Sequence, residues 1–218
     1  MQWMVGVIEQ LWEDPDRLAL LHLGGAACTM ARWAVARYKN AHNLVIESDA
    51  KLADLVRKEL DLPRAPKLRI RVADAATELA NIKPGTRDII IRDIFDDGAT
   101  PEEFCTVEYA QTAKEVLSPD GVYLVNCGDR PNLLHGRSEA ATLRSVFEHV
   151  YAVADGAMFK GRRIGNIVYV CTARELDTHA LRRTLLVQAA NIQVMDLSQV
   201  QKFAAGSQPL KLSQLDLK

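Results

Sequence analysis

Short runs of Leu, Ile and Val recur along the chain, separated by longer stretches in which apolar residues return at helical intervals. This alternation predicts βαβ units and a mainly parallel sheet with helices on both faces. The runs Leu18 to Leu23 (LALLHL), Leu44 to Ile46 (LVI), Leu68 to Val72 (LRIRV), Ile89 to Ile94 (IIIRDI) and Val122 to Val125 (VYLV) are too short for buried helices. They are predicted as strands one to five. Thr29 to Tyr38, Ala50 to Leu60 and Glu102 to Leu117 are the predicted crossover helices, the last ended by Ser118-Pro119-Asp120-Gly121.

Beyond strand five, Asn132 to Val150 presents a broad apolar face and is predicted as a helix. Tyr151 to Met158 and Asn166 to Thr172 flank the turn-like Lys160-Gly161-Arg162-Arg163, which predicts an antiparallel pair at the sheet edge. Thr178 to Ala189 is a predicted tail helix, and the polar stretch from Ser207 onward is expected to fray. At the other end, MQWMVGVIEQLW reads as one amphipathic helix with Trp3, Val7, Ile8 and Leu11 available for packing. The organisation expected is therefore an N-terminal helix over 1–17, an α/β domain over 18–174 and a helical tail over 175–218. No repeat, low-complexity tract or linker interrupts it.

With 218 residues and 48% apolar content the chain can bury one sizeable core. A formal net charge of −1 leaves no basic footprint for nucleic acid or anionic lipid, so small molecules are the expected partners. Cys28, Cys105, Cys127 and Cys171 lack CxxC spacing, and no His cluster has ligand spacing, so neither a metal nor a disulfide framework is expected. No apolar run reaches about 18 residues and no signal pattern opens the chain. A soluble, cytoplasmic protein without membrane contact is expected.

Chemistry concentrates where strands end. Gly24-Gly25-Ala26-Ala27-Cys28-Thr29 follows strand one and opens a helix, where backbone N–H groups can face a ligand, and the glycines would clear side chains from its path. Such turns also occur in sheets that bind nothing. About 20 residues on, Glu47 ends strand two, where an acid can accept from both hydroxyls of a ribose; Glu47, Ser48 and Asp49 can equally cap the next helix. After strand three, Asp74 can accept from an adenine amino group or cap Ala75 to Asn81.

Taken together, HLGGAACTMAR, VIESDAKLADLVR, LRIRVADA, RDIIIRDIFDD and VLSPDGVYLVN resemble the spermidine synthase family, most of all its bacterial spermidine synthase-like members. The resemblance runs from about Leu18 to Arg174. It implies a class I S-adenosylmethionine-dependent methyltransferase fold, a doubly wound, seven-stranded sheet ending in an antiparallel edge hairpin. It also implies a homodimer and transfer of an aminopropyl group from decarboxylated S-adenosylmethionine to a polyamine. The cofactor-binding positions would be Gly24, Gly25, Ala26, Glu47 on the ribose, Ser48, Asp74 on the adenine, and Ala75. In the strand-four motif, Ile89-Ile90-Ile91-Arg92 followed by Asp93-Ile94-Phe95-Asp96, Asp93 would help take the proton from the attacking amine and Asp96 would hold an ammonium. The bland alternative is that Asp96-Asp97-Gly98 is a polar turn.

Three departures from the family stand out. Ala27 occupies the first-loop position of an acid that reaches the cofactor's amino group, Asp97-Gly98 replaces a proline-bearing continuation, and Met1 to Pro15 stand ahead of the first strand where the family places an N-terminal β domain, which is expected either to be lost or to lie before Met1. A methyltransferase using intact S-adenosylmethionine, with Asn126 orienting its acceptor, is therefore a second reading. A non-catalytic binding protein, with the Met1 to Trp12 face devoted to dimerisation, is a third. His22 is expected to be a satisfied core histidine, Cys28 a small residue fitting its turn, and the Lys160 to Arg163 loop a solvated turn that hints at an anionic partner.

Overall fold

The computed structural model describes residues 1–25, 27–96, 98–187 and 191–215. In chain order the elements are α1 (Gln2–Leu11), β1 (Leu18–Leu23), α2 (Thr29–Arg37), β2 (Ala41–Glu47), α3 (Ala50–Glu59), β3 (Leu68–Val72), α4 (Ala75–Ala80) and β4 (Arg87–Arg92). There follow α5 (Val107–Val116), β5 (Leu117–Asp129), α6 (Leu134–Val146), β6 (His149–Asp155), α7 (Gly156–Phe159), β7 (Gly165–Thr172), α8 (Thr178–Leu186), β8 (Ile192–Met195) and α9 (Leu197–Phe203). The strands form one sheet in the order β3-β2-β1-β4-β5-β7-β6-β8, parallel from β3 to β5 and antiparallel beyond.

Both faces are covered, which is why the central strands read as unbroken apolar runs and all six residues of β1 are buried. On one face Leu18, Leu20, Ile89, Ile91, Val122 and Leu124 meet Met4, Val7, Ile8 and Leu11 of α1, Met30 and Ala34 of α2, and Leu181 and Leu185 of α8. On the other, Leu21, Leu23, Ile90, Tyr123 and Val125 meet Leu79, Ala110, Ala113, Ala140, Leu143 and Phe203 from α4, α5, α6 and α9. The two-residue strand period sends alternate side chains to opposite layers.

The apolar face of α1 is thus covered by this chain's own sheet and α8, so it is not the open dimerisation surface considered from the sequence. Among the described residues the sheet has eight strands where seven were expected. The short β8 pairs antiparallel with β6, from Ala152 opposite Met195 to Asp155 opposite Ile192, so the hairpin of β6 and β7 is not itself the edge. The predicted helix over Glu102 to Leu117 is a 3-10 turn over Glu102–Cys105 followed by α5, because the Thr106 hydroxyl accepts the Tyr109 N–H at 3.3 Å and restarts the helix.

The predicted helix over Asn132 to Val150 ends at Val146, since His149 already pairs with Thr172 in the sheet. The predicted strand over Tyr151 to Met158 stops at Asp155, whose carboxylate accepts the Ala157 N–H at 2.7 Å and starts the single turn of α7. The tail helix is described to Leu186, and its expected end at Ala189 lies outside the described residues. The segment from Ser207 is tied down rather than frayed. The Leu210 carbonyl accepts the Val107 N–H at 2.8 Å and the Leu210 N–H donates to Thr142 Oγ1 at 2.9 Å.

Candidate active site

A cavity of about 680 Å³ opens at the C-terminal ends of β1, β2 and β4. The chain moves outward from β1 to β2 on one side and places β4 on the other, so this is the switch point at which doubly wound sheets bind ligands. Gly24, Gly25, Glu47, Ser48, Asp93 and Asp96 share its wall. Ala26 and Asp97 lie outside the described residues.

The two glycines answer to the protein before any ligand. Gly24 has φ +78, and a Cβ there would lie 2.4 Å from the Asp93 carbonyl oxygen; one on Gly25 would lie 1.8 Å from Val45 Cγ1. The β1–α2 turn is therefore pressed onto the ends of β2 and β4, and clearance for a ligand is not what those Cβ positions require.

On the β2 side, Glu47 Oε1 accepts the Asp49 N–H at 3.0 Å, while Asp49 caps α3 by accepting from Lys51 N at 2.8 Å and Leu52 N at 3.0 Å. Capping thus falls to Asp49 and leaves Glu47 part-exposed on the cavity wall. Asp74 and Ala75 stand outside this wall. Asp74 caps α4 through the Thr77 N–H at 2.7 Å, which holds its carboxyl below the usual carboxylate range, and Ala75 is buried in the core.

On the β4 side, Asp93 sits one residue past the strand, its N–H donating to the Leu23 carbonyl at 2.9 Å. Asn126 on β5 donates Nδ2–H to Asp93 Oδ1 at 2.8 Å, and Asn166 on β7 donates to Asn126 Oδ1 at 2.8 Å. Asn126 is not itself in the cavity wall. Asp96 and Ala99 exchange backbone hydrogen bonds at 2.7 and 3.0 Å, so Asp96 does sit on a tight turn, and that turn projects it into the wall. Phe95, 39% exposed, lies on the same wall and packs its ring toward Gly128.

Among the described residues, Glu47, Asp49, Asp93 and Asp96 are the charged side chains of this wall and no Lys or Arg side chain contributes to it; the Met1 amino group, its pKa lowered by burial and raised by Asp93, is the cation on the same wall. The neutral end of the charge range is also set by burial. His22 bonds Asn43 Oδ1 through Nε2 at 2.9 Å, and burial lowers its pKa from 6.5 to about 4. It is the satisfied core histidine anticipated. Burial raises the Cys28 thiol, so its place at the start of α2 does not activate it. Among the described residues, no three His, Cys, Asp or Glu gather in a metal-holding group, and no helix is long and apolar enough to cross a membrane.

Sequence reasoning missed the support beneath Asp93. Arg92 is 1% exposed and forks onto Glu139 of α6, Nη1 to Oε1 at 3.1 Å and Nη2 to Oε2 at 2.9 Å, while Nη1 also donates to the Phe104 carbonyl. The pair fastens the end of β4 to α6 and to the loop before α5. It also missed Asn166, a polar residue in an apolar strand whose partner is non-local. An arginine inside the run IIIRD was the available signal for the first.

This sheet order, with its antiparallel far edge and cleft at the β1–β4 switch, defines a class I methyltransferase-like protein. Human methyltransferase-like protein 13 in complex with SAH shares the fold, with a TM-score of 0.68 at 20% identity over 99% of this chain and 96% of that one. The model of the spermine/spermidine synthase domain matches residues 11–154. A probable spermidine synthase from Corynebacterium glutamicum is 39% identical with a TM-score of 0.92, covering all of this chain and 81% of that one. A polyamine aminopropyltransferase of Vibrio vulnificus is 27% identical over 139 residues, 63% of this chain but 45% of that enzyme's length. The chain belongs to the spermine/spermidine synthase family.

Proposed function

We propose that the chain is an aminopropyltransferase that moves the aminopropyl group of decarboxylated S-adenosylmethionine to an amine, a polyamine or a smaller relative. The observation that carries this reading is the sign of the cleft: among the described residues four carboxylates and no Lys or Arg side chain line it, against the single amino group of Met1. Both reactants are cations, a sulfonium bearing a primary ammonium and a protonated amine, and such a wall favours them over an anionic ligand. Glu47 holds the ribose hydroxyls, with Gly24, Gly25 and Ser48 along the nucleoside; Ala26, Asp74 and Ala75 are assigned to the cofactor by the family resemblance alone, the last two standing outside the cavity wall. Asp96 holds an ammonium of the acceptor.

Asp93 receives the proton that the attacking nitrogen must lose. The nitrogen bonds the propyl carbon, the carbon–sulfur bond breaks, and sulfur leaves as the neutral thioether methylthioadenosine. Asn126 keeps one carboxylate oxygen of Asp93 occupied, so the other is aimed. Incubating the protein with decarboxylated S-adenosylmethionine and putrescine or a diamine series, with mass spectrometry for methylthioadenosine and the extended amine, tests the reading. Stoichiometric formation of both supports it. A methylated amine formed from intact S-adenosylmethionine, with nothing from the decarboxylated form, overturns it.

The methyltransferase reading is kept by one feature, Ala27 in the cleft wall where the family resemblance sets an acid. Loss of that carboxylate removes one repulsion against the carboxylate of intact S-adenosylmethionine, but four others remain.

A further inference from the structure

At the far edge of the sheet a second concavity, of about 360 Å³, opens where α7, α8 and β8 meet. It gathers Lys160 and Arg162 from the turn after α7, Arg182 from α8, and Asn191 and Gln193 at the start of β8. The turn that carries the first two is held in place. Gly161 has φ +64 and a Cβ there would lie 2.3 Å from the Pro131 carbonyl oxygen, while the N–H groups of Gly161 and Arg162 donate to Met158 and Ala157 at 2.9 Å each. A side chain at 161 is barred, and the flanking cations are presented from a fixed backbone.

The charge in this concavity is uncompensated. Among the described residues Asp155 is its one carboxylate, and it is engaged by the Ala157 N–H at 2.7 Å and by Arg163 at 3.6 Å. Among the described residues, Lys160, Arg162 and Arg182 make no ion pair or side-chain hydrogen bond. In a chain with 28 acids against 27 Lys and Arg, three cations from separate elements around one hollow repel each other and are relieved by an anion placed among them.

We propose that this cleft binds a small phosphorylated metabolite, with Lys160, Arg162 and Arg182 on the phosphate and Asn191 and Gln193 on its polar remainder. Two guanidinium forks and an ammonium suit the several oxygens of a phosphate. The volume falls in the range of small-ligand pockets, and a formal net charge of −1 is not the net positive charge of a nucleic-acid-binding chain. The site stands apart from the carboxylate-lined cleft. β6 lies three strand positions from β4, about 14 Å at the usual spacing, so the two clefts are separate and the proposal does not rest on the transferase reading.

Calorimetric titration of the full chain with inorganic phosphate and with pyrophosphate tests this, comparing wild type, Arg182→Gln and the Arg162→Gln/Arg182→Gln pair. Saturable one-site binding to wild type, weakened at least roughly tenfold in Arg182→Gln, is the expected result. The thermal transition reports folding of each variant, and Arg182→Gln, a surface change on α8, serves if the double variant does not fold. Absence of binding at millimolar probe, equal affinity in the variants, or tighter binding of a short single-stranded RNA than of pyrophosphate overturns the assignment. A parallel titration with decarboxylated S-adenosylmethionine is expected to be unchanged in the variants, which separates failure at this cleft from failure at the other.

Discussion

Asn126 donates its side-chain N–H to Asp93 Oδ1 at 2.8 Å, and its own carbonyl is held by Asn166 at 2.8 Å, so the carboxylate at the mouth of the cleft is oriented by two amides in series. β4, β5 and β7 are adjacent strands, and the relay runs straight across their ends.

Replacing Asn126 with Ala frees that carboxylate to rotate. Turnover is expected to fall about 100-fold with little change in cofactor affinity, since misplacement of a proton acceptor by about 1 Å acts on the chemical step. Steady-state kinetics with separate kcat and KM reads this; a rise in KM alone would make Asn126 a binding residue. Asn166→Ala is expected to repeat the effect in weaker form.

Gly25→Ala separates the two explanations for the first loop. A methyl there overlaps Val45, so the variant is expected to lose about 1–3 kcal/mol of stability with no ligand present. Urea denaturation of the ligand-free protein measures it. Unchanged stability with lost cofactor binding would return the glycine to a ligand-clearing role.

The sheet order and cleft were legible because parallel strands covered on both faces must be apolar runs, and LALLHL, IIIRD and VYLV are such runs. Asp49 as the cap of α3 was legible too, since capping is local. What was hidden is non-local. Glu139 is 47 residues from Arg92, β8 has only four residues, and the segment around Leu210 gains its order from Val107 and Thr142 rather than from any pattern of its own. The glycines were legible as positions without a Cβ, but a turn sequence does not show which atoms exclude it, here Val45 and the Asp93 carbonyl.

Glu139→Gln strands the Arg92 guanidinium in the core without its countercharge. Loss of about 3–5 kcal/mol is expected, whereas Arg92→Met/Glu139→Leu together is expected to cost far less, since an apolar pair needs no desolvation. Denaturant midpoints of the single and double variants decide it. Equal losses would show that the pair is not what holds β4 to α6.

Burial gives His22 a pKa of about 4 in the folded chain against 6.5 ordinarily, so the unfolded state binds the extra proton between these values. The stability involved is complete above about 6.5 and is lost as pH falls toward 4, by up to about 3 kcal/mol. Stability measured from pH 7 to pH 4 is expected to fall less steeply in His22→Gln than in wild type. Parallel curves would mean that His22 keeps its proton in the fold.

The central claim is that a cleft walled by Glu47, Asp49, Asp93 and Asp96 selects cations. Calorimetric titration with decarboxylated and intact S-adenosylmethionine, run side by side, tests it most directly. The decarboxylated form is expected to bind at least roughly tenfold more tightly, with the preference shrinking as salt is raised. Equal binding, or preference for the intact cofactor with its carboxylate, would contradict it.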